Sequence, residues 1–366
     1  MARQLLTIAH NTFVESIRQP VYTVLTLVAA LGLVLNPFLA AYSMETGDGD
    51  RKLVIDMGLS MVLLTGMLLA AFSATSVLTR EIEQKTVLTV VSKPVARPVF
   101  VVGKFLGVAG AIFLAWWVLG LLFLGTYRHG VMSTARDDLD GPVILLNLAA
   151  FVGALGFAAA GNYLYQRVFT ESFIKTLTVT ATLAFLGVLV LGKQWTPQGP
   201  LTEFRGNDGE MLQLAVGLVM IFEAVLILAA VAVAVSARLG QVMTLLICVG
   251  TFLLGAVTNS LSGGVNQRLS LPADLDVFRS VVAVAAADTP LLTKAADLVL
   301  KALYLLLPNL QFLWPADAIT QGHSLLHNLD GEFSLGVVGM VTAYATLYVV
   351  VVLAAAVLLF QRREVG

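Results

Sequence analysis

The chain has 366 residues, of which 58% are hydrophobic and 12% charged, and its mean hydropathy is +0.88. Because about a quarter of the residues of a soluble domain are charged, this composition excludes an ordinary soluble protein and indicates a membrane-embedded chain. The formal net charge is −1 and the sequence has no long basic block, so we expect no nucleic-acid partner.

Residues 2–19 are predicted to form an amphipathic helix that lies on the membrane surface. Its apolar side chains recur at helical spacing, and most of its polar side chains fall elsewhere on the helix. The apolar positions are Leu5, Leu6, Ile8, Ala9, Phe13 and Ile17. Pro20 ends this helix. Because the segment lacks a continuous apolar core and a small-residue cleavage site, we expect no cleaved signal peptide.

Eight later segments are long and apolar enough to cross a bilayer, which requires about 20 residues per helix. In chain order they are residues 21–42, 53–78, 99–127, 142–164, 173–192, 211–235, 242–259 and 335–360. Gly103, Gly107 and Gly110 in the third span are predicted to permit the close approach of another helix. The predicted fold is an all-α, polytopic integral membrane protein with a single transmembrane domain over residues 1–366.

A charged segment, Arg80–Arg97, separates the second and third predicted spans. Its first half can form a short helix, which Pro94 ends, and a second helix can begin at Pro98. Charged amphipathic helices between spans often lie at lipid headgroups. Physical arguments alone therefore leave two roles open, an interfacial connector and a docking element.

The charge distribution predicts the orientation of the chain. The side with the N-terminus, the C-terminus and the loops after the second, fourth and sixth spans, together with the adjoining span ends, holds twelve Lys and Arg residues but only five Asp and Glu residues. Cytosolic loops carry an excess of Lys and Arg. We therefore predict a multi-pass protein of the plasma (inner) membrane with both termini in the cytosol.

Two motifs resemble those of a known family. The run R-E-I-E-Q-K-T that begins at Arg80, followed by V-S-K-P-V-A-R and G-K-F-L-G, resembles the cytosolic signature of ABC-2-type permeases, the membrane subunits of ATP-binding-cassette exporters. Lys85 departs from this signature, because many relatives carry Gly there. The segment Leu306–Ile319 resembles the Pro-Asn-Leu turn that the family carries before its last span. The family core has six spans, and we expect the extra pair near the fourth and fifth.

The resemblance implies that residues 80–97 form a coupling helix that docks on a separate ATPase. The coupling residues would be Arg80, Glu81, Glu83, Lys85, Thr86, Lys93, Pro94 and Arg97. It also implies a second permease copy or paralogue, with ATP and Mg bound by the ATPase subunits and no cofactor bound by this chain. Permeases of this family, including those similar to the multi-copper-enzyme maturation and gliding-motility type, export substrates or transmit force across the membrane.

No arrangement of Ser, His, Asp or Cys typical of nucleophilic catalysis stands out, so we predict no catalytic residues. Residues 260–334 are predicted to form an extracytoplasmic or re-entrant helical segment that suits contact with an extracytoplasmic partner. This segment contains His323 and His327, four residues apart. Two imidazoles without a defined third ligand do not make a closed metal site, so no metal is predicted there.

Glu223 lies near the middle of the sixth predicted span, where an ionised acid costs about 3 kcal/mol. We expect its side chain to face protein or water. Two roles remain open, lining a transport path or serving as a protonated hydrogen-bond partner. An ATP-independent carrier or a membrane-embedded enzyme is the alternative function, and Glu223 is the residue that would support it.

Overall fold

The computed structural model describes residues 2–42, 48–83, 96–132, 139–200, 202–205, 209–257, 290–321, 325–326 and 335–361. Twelve α-helices lie in these ranges: α1 (Ala2–Ile17), α2 (Pro20–Ala40), α3 (Asp48–Glu83), α4 (Arg97–His129), α5 (Gly141–Tyr165), α6 (Phe169–Val190), α7 (Thr202–Arg205), α8 (Glu210–Ser236), α9 (Gln241–Ala256), α10 (Leu291–Leu306), α11 (Ala316–Thr320) and α12 (Gly336–Gln361). A 3₁₀ turn, Leu310–Leu313, lies between α10 and α11. The described part of the chain has no β-strand beyond one isolated bridge.

Seven of the described helices are long and apolar enough to cross a membrane, which confirms the prediction of an all-α, polytopic membrane protein. They are α2, residues 49–76 of α3, α4, α5, α6, α8 and α12. The seventh predicted span, residues 242–259, coincides with α9, which has 16 residues. A helix of that length measures about 24 Å, less than the roughly 30 Å of a bilayer core. The count of eight spans therefore stays a prediction.

Helix α8 lies at the centre of the bundle and contacts α3, α4, α9 and α12. Its buried side chains are mostly small or aliphatic, which lets the neighbouring helices approach closely. They include Ala224, Ile227, Leu228, Ala229 and Ala232. By contrast, α5 packs mainly on α6 and stays largely exposed, so the α5–α6 hairpin stands at the edge of the bundle.

Several contacts show which helix ends lie together. Gln19 hydrogen-bonds Ser76, and Arg18 pairs with Glu171, so the start of α2, the last part of α3 and the start of α6 share one side of the bundle. The Phe100 and Phe360 rings, 5.4 Å apart, bring the start of α4 and the end of α12 to that side. We call this side the N-terminal end. The helices of both chain termini reach it, as an even number of crossings requires.

Helix α1 packs along the first half of α4 rather than standing apart from it. Ile8 contacts Gly103, and Thr12 contacts Gly107, so the two helices run in the same direction. Thr12 and Ile17 are buried in this contact region. The close helix approach predicted at the glycines of α4 therefore occurs, and the approaching helix is α1. Its position at the membrane surface stays a prediction.

Gly107→Val is expected to destabilise the protein by about 1–3 kcal/mol, the usual cost of overpacking. A β-carbon at this position would lie 2.5 Å from the backbone carbonyl oxygen of Ala9, which cannot rotate away. Thermal unfolding of the purified variant should therefore begin at a lower temperature. Gly153→Val is the matched control, because nothing lies within 4 Å of a β-carbon there. Equal melting of the two variants would contradict the α1–α4 contact.

Candidate functional site

At the N-terminal end, two long helices extend past the start of α2. Tyr22, near the start of α2, donates a hydrogen bond to the Ala111 carbonyl, and Gln19 contacts Ser76. Helix α3 continues beyond this level to Glu83, and α4 begins beyond this level, at Arg97. At 1.5 Å per residue, the extensions measure about 10 Å and about 20 Å. We call α1, residues 77–83 of α3 and residues 97–110 of α4 the stalk.

The stalk interior contains a buried cation. The Lys104 ammonium lies 5.6 Å from the centroid of the Phe100 ring, and this ring stacks on Phe360 of α12. A cation held over an aromatic face in a desolvated site contributes about 2 kcal/mol. These contacts connect the stalk to the last transmembrane helix.

A second connection joins α1 to the α5–α6 hairpin. Arg18 Nε donates to Glu171 Oε2 at 2.7 Å, and Lys175 Nζ donates to the other oxygen of Glu171 at 2.6 Å. Thr170 also donates to the Arg18 carbonyl at 3.0 Å. Exposed ion pairs of this kind contribute only about 0–1 kcal/mol, so their role is to orient α1 and α6.

A pocket with a volume of about 460 Å³ lies on α1 and the turn that follows it. Its lining residues are His10, Asn11, Val14, Glu15, Arg18, Gln19 and Pro20. The lining contains both signs of charge and two amide side chains. The wall of this pocket therefore combines charged, amide and apolar groups.

The structure describes the predicted coupling residues only in part. The backbone of Arg80, Glu81 and Glu83 belongs to the last turns of α3, and Arg97 is exposed at the first turn of α4. The remaining predicted coupling residues lie outside the described residues, namely Lys85, Thr86, Lys93 and Pro94. Both helices that flank the segment end at the tip of the stalk.

The opposite end of the bundle contains a cluster that the sequence analysis missed. Arg51 Nε donates to Glu210 Oε1 at 2.7 Å, and the Tyr127 hydroxyl donates to Glu210 Oε2. This cluster joins α3, α4 and α8 at one level. Charged residues at the first turn of apolar spans were the available signal, but such a residue does not indicate which partner it meets.

A second, more deeply buried cluster is centred on Arg128. Its guanidinium lies 3.1 Å from Asp140 Oδ2 and 3.3 Å from Glu203 Oε1, and it donates to the carbonyls of Val188 and Leu191. Arg128 and Asp140 are both buried. The Asp140 side chain also accepts the Val143 amide at the start of α5. One cation therefore holds α4, the α5–α6 hairpin and α7 together.

Glu223 faces α12. Its Oε1 accepts a hydrogen bond from the Thr342 hydroxyl at 2.7 Å, while Oε2 is buried with no hydrogen-bond partner among the described residues. The residue stands 13 positions from each end of α8, about 20 Å from both. Of the two expected surroundings, protein or water, the structure shows protein next to Oε1, and the neighbour there is a hydroxyl rather than a cation.

The Pro-Asn-Leu turn lies against α9 and α12. The Asn309 amide donates to the Tyr344 hydroxyl at 2.8 Å, and the Tyr348 hydroxyl donates to the Leu306 carbonyl at 2.7 Å. Tyr344 is eight residues, about 12 Å, into α12. His323 and His327 lie outside the described residues. Within the described ranges, no three potential metal ligands come together.

Residues 6–164 match the family model described as ABC-2 family transporter protein. The match runs from α1 to α5 and includes the stalk from Leu6 onward and the segment between α3 and α4. No curated protein matches the chain.

Proposed function

We propose that this chain, whose residues 6–164 match the ABC-2 family transporter model, is an ABC-2-type permease that couples ATP hydrolysis on a separate subunit to movement of its helices. ATP and Mg bind the partner ATPase, and this chain contributes no catalytic residue. A second permease copy or paralogue completes the complex. The work done is export of a substrate or transmission of force to an extracytoplasmic partner.

The observation that carries this proposal is the stalk. Because α3 and α4 both extend past the level of Gln19, the segment between them, residues 84–95, begins and ends at the tip of the bundle. A docking element must stand clear of lipid headgroups to meet a soluble subunit. The two helices extend about 10 Å and about 20 Å past the start of α2, and α4 begins about 5 Å beyond Phe100, where α12 ends. They favour a docking role over an interfacial connector.

The packing around the stalk supplies a route for force. Phe100 contacts Phe360 on α12, and the Arg238 guanidinium donates to the Leu359 carbonyl at 3.1 Å. Motion of α4 therefore reaches α12 and the end of α8 directly. Packed helices shift as rigid elements, so a displacement at one end is carried along the span.

The test is co-expression of the chain with the ABC ATPase encoded nearest to it, followed by affinity purification through a tag on the permease. We expect the ATPase to co-purify and its hydrolysis rate to change when the permease is present. Co-purification tests docking, and the change of rate tests coupling. Absence of both would favour the ATP-independent carrier, for which the intramembrane acid Glu223 is the supporting observation.

The orientation can be tested separately by thiol labelling in a Cys248→Ala background, since Cys248 is buried. Lys193→Cys lies at the end opposite the stalk, and Tyr165→Cys lies at the N-terminal end. Both native side chains are exposed. We expect a membrane-impermeant maleimide to label intact cells at position 193 but not at position 165, because the basic side faces the cytosol. Labelling at position 165 alone would show that the chain has the opposite orientation in the membrane.

A further inference from the structure

A cleft runs between α4 and α12 along one strip of α8. On α8, Phe222 and Glu223 point in directions about 100° apart, because an α-helix has 3.6 residues per turn. The strip of helix surface between these two directions also contains Leu212, Val219, Ala230 and Val233. Toward the N-terminal end the strip is covered, with Ala230 0% and Val233 2% exposed. Toward the opposite end it is open, with Leu212 39% and Val219 41% exposed.

The cleft closes where α4 and α12 meet. The Phe100 and Phe360 rings, 5.4 Å apart, join the two helices at the N-terminal end. Farther from that contact, the strip of α8 between the two helices becomes exposed, beginning near Val219. Glu223 lies close to the closed end of this cleft, and its partner Thr342 is exposed. The open side faces the membrane, so a ligand would enter from the lipid.

One wall of the cleft is aromatic. The Phe222 ring lies 4.9 Å from the Trp116 ring and 5.7 Å from the Phe113 ring, and Phe113 is 40% exposed. The negative faces of such rings attract organic cations. Phe222 is adjacent in sequence to Glu223, so the aromatic wall and the carboxyl group lie at the same depth.

Among the described residues, the hydrogen-bond partner of Glu223 is Thr342 and no cation pairs with it. The nearest charged residues on α3 and α4 are Asp56 and Lys104, ten residues from Gly66 and nine from Phe113, about 15 Å along each helix. Gly66 and Phe113 mark the level of Glu223, because they contact Val225 and Phe222.

Of the other helices packed against α8, α7 and α11 lie toward its Glu210 end and carry Glu203, Arg205 and Asp317, whereas α9 and α12 add no cation. Helices α9 and α12, which the structure describes in full, contain no Lys, Arg, His, Asp or Glu. The titratable groups of α12 are Tyr344 and Tyr348, whose hydroxyls bond Asn309 and Leu306. Acids inside membranes normally pair with another group or mark a ligand path.

We propose that Glu223 binds the positively charged group of a lipophilic organic cation that enters this cleft from the membrane. The carboxylate neutralises the ligand charge, the Thr342 hydroxyl orients the carboxylate, and the aromatic wall of Phe113, Trp116 and Phe222 holds the apolar body. A proton competes for the same carboxylate. The inference rests on the proposed transport function and specifies a class of ligand for it.

The probe is radiolabelled tetraphenylphosphonium, and the protein is the full chain in lipid nanodiscs at several pH values. We expect saturable binding of tetraphenylphosphonium. The binding should weaken up to tenfold for each unit by which the pH falls, because protonation of Glu223 displaces the cation. Glu223→Gln, which preserves shape and the acceptor for Thr342, should bind the probe at least tenfold more weakly at pH 8, without pH dependence. Glu171→Gln, the same chemical change outside the cleft, should stay within twofold of the native chain.

Equal binding of the probe by the native chain and by Glu223→Gln would overturn the proposed site. Binding to the native chain in nanodiscs no greater than binding to empty nanodiscs would overturn it as well. A Glu223→Gln protein that is not monodisperse is replaced by Phe113→Leu, which opens the aromatic wall and should weaken binding severalfold while keeping the pH dependence. The assay contains no ATPase. Failure here is therefore distinguishable from failure of ATPase coupling, which is measured by co-purification.

Discussion

Reversal of Glu81 and Glu83 to lysine is expected to abolish association with the ATPase while leaving the permease inserted and folded. Loss of one partner of a buried charged pair at an interface costs about 2–5 kcal/mol. That loss weakens binding about 30-fold to about 5,000-fold. Both positions lie in the last turns of α3, beyond the level of Ser76, so the membrane-spanning part of the helix is unchanged.

The measurement is the amount of ATPase retained on the tagged permease, together with its hydrolysis rate. The matched control reverses Asp50 and Asp317, which lie toward the opposite end, and should retain the ATPase at the native level. Gel filtration of each variant checks folding. Native retention by the Glu81→Lys, Glu83→Lys variant would show that the segment is an interfacial connector and would remove the main support for coupling through the stalk.

Arg128→Met is expected to destabilise the protein by about 3–5 kcal/mol, the largest effect on folding among the described residues that we propose to change. The substitution leaves Asp140 as a buried, uncompensated charge, and it removes the donor from the Val188 and Leu191 carbonyls. The link between α4 and the α5–α6 hairpin is lost as well. Thermal unfolding of the purified variant in detergent measures the effect.

A second substitution separates charge from packing. Adding Asp140→Asn to Arg128→Met removes the unpaired charge while keeping an oxygen to accept the Val143 amide, so part of the lost stability should return. Lys193→Met is the control at the same end, where an exposed cation should matter by no more than about 0.5 kcal/mol. A melting temperature for Arg128→Met equal to that of Lys193→Met would refute the structural role of this cluster.

The sequence by itself determined the membrane class, the approximate positions of the long helices and the depth of Glu223. Each of these follows from one dimension, the distance along the chain. A bilayer about 30 Å thick requires about 20 apolar residues per helix, and a rise of 1.5 Å per residue then assigns a depth to every side chain. The family motif around Arg80 is likewise a linear pattern, and the family match over residues 6–164 agrees with it.

Only the tertiary structure decided which side chains meet. The apolar face of residues 2–19 predicts burial, but the choice between lipid and a helix depended on the glycines of α4, where Gly107 contacts Thr12. Residues 128–140 are polar in sequence, yet Arg128 and Asp140 are buried because α6 and α7 cover them. Glu223 faces α12 because of the rotation of α8 about its own axis and because α12 packs on that side of α8. Depth follows from helix geometry alone, whereas lateral neighbours depend on how all the helices pack together.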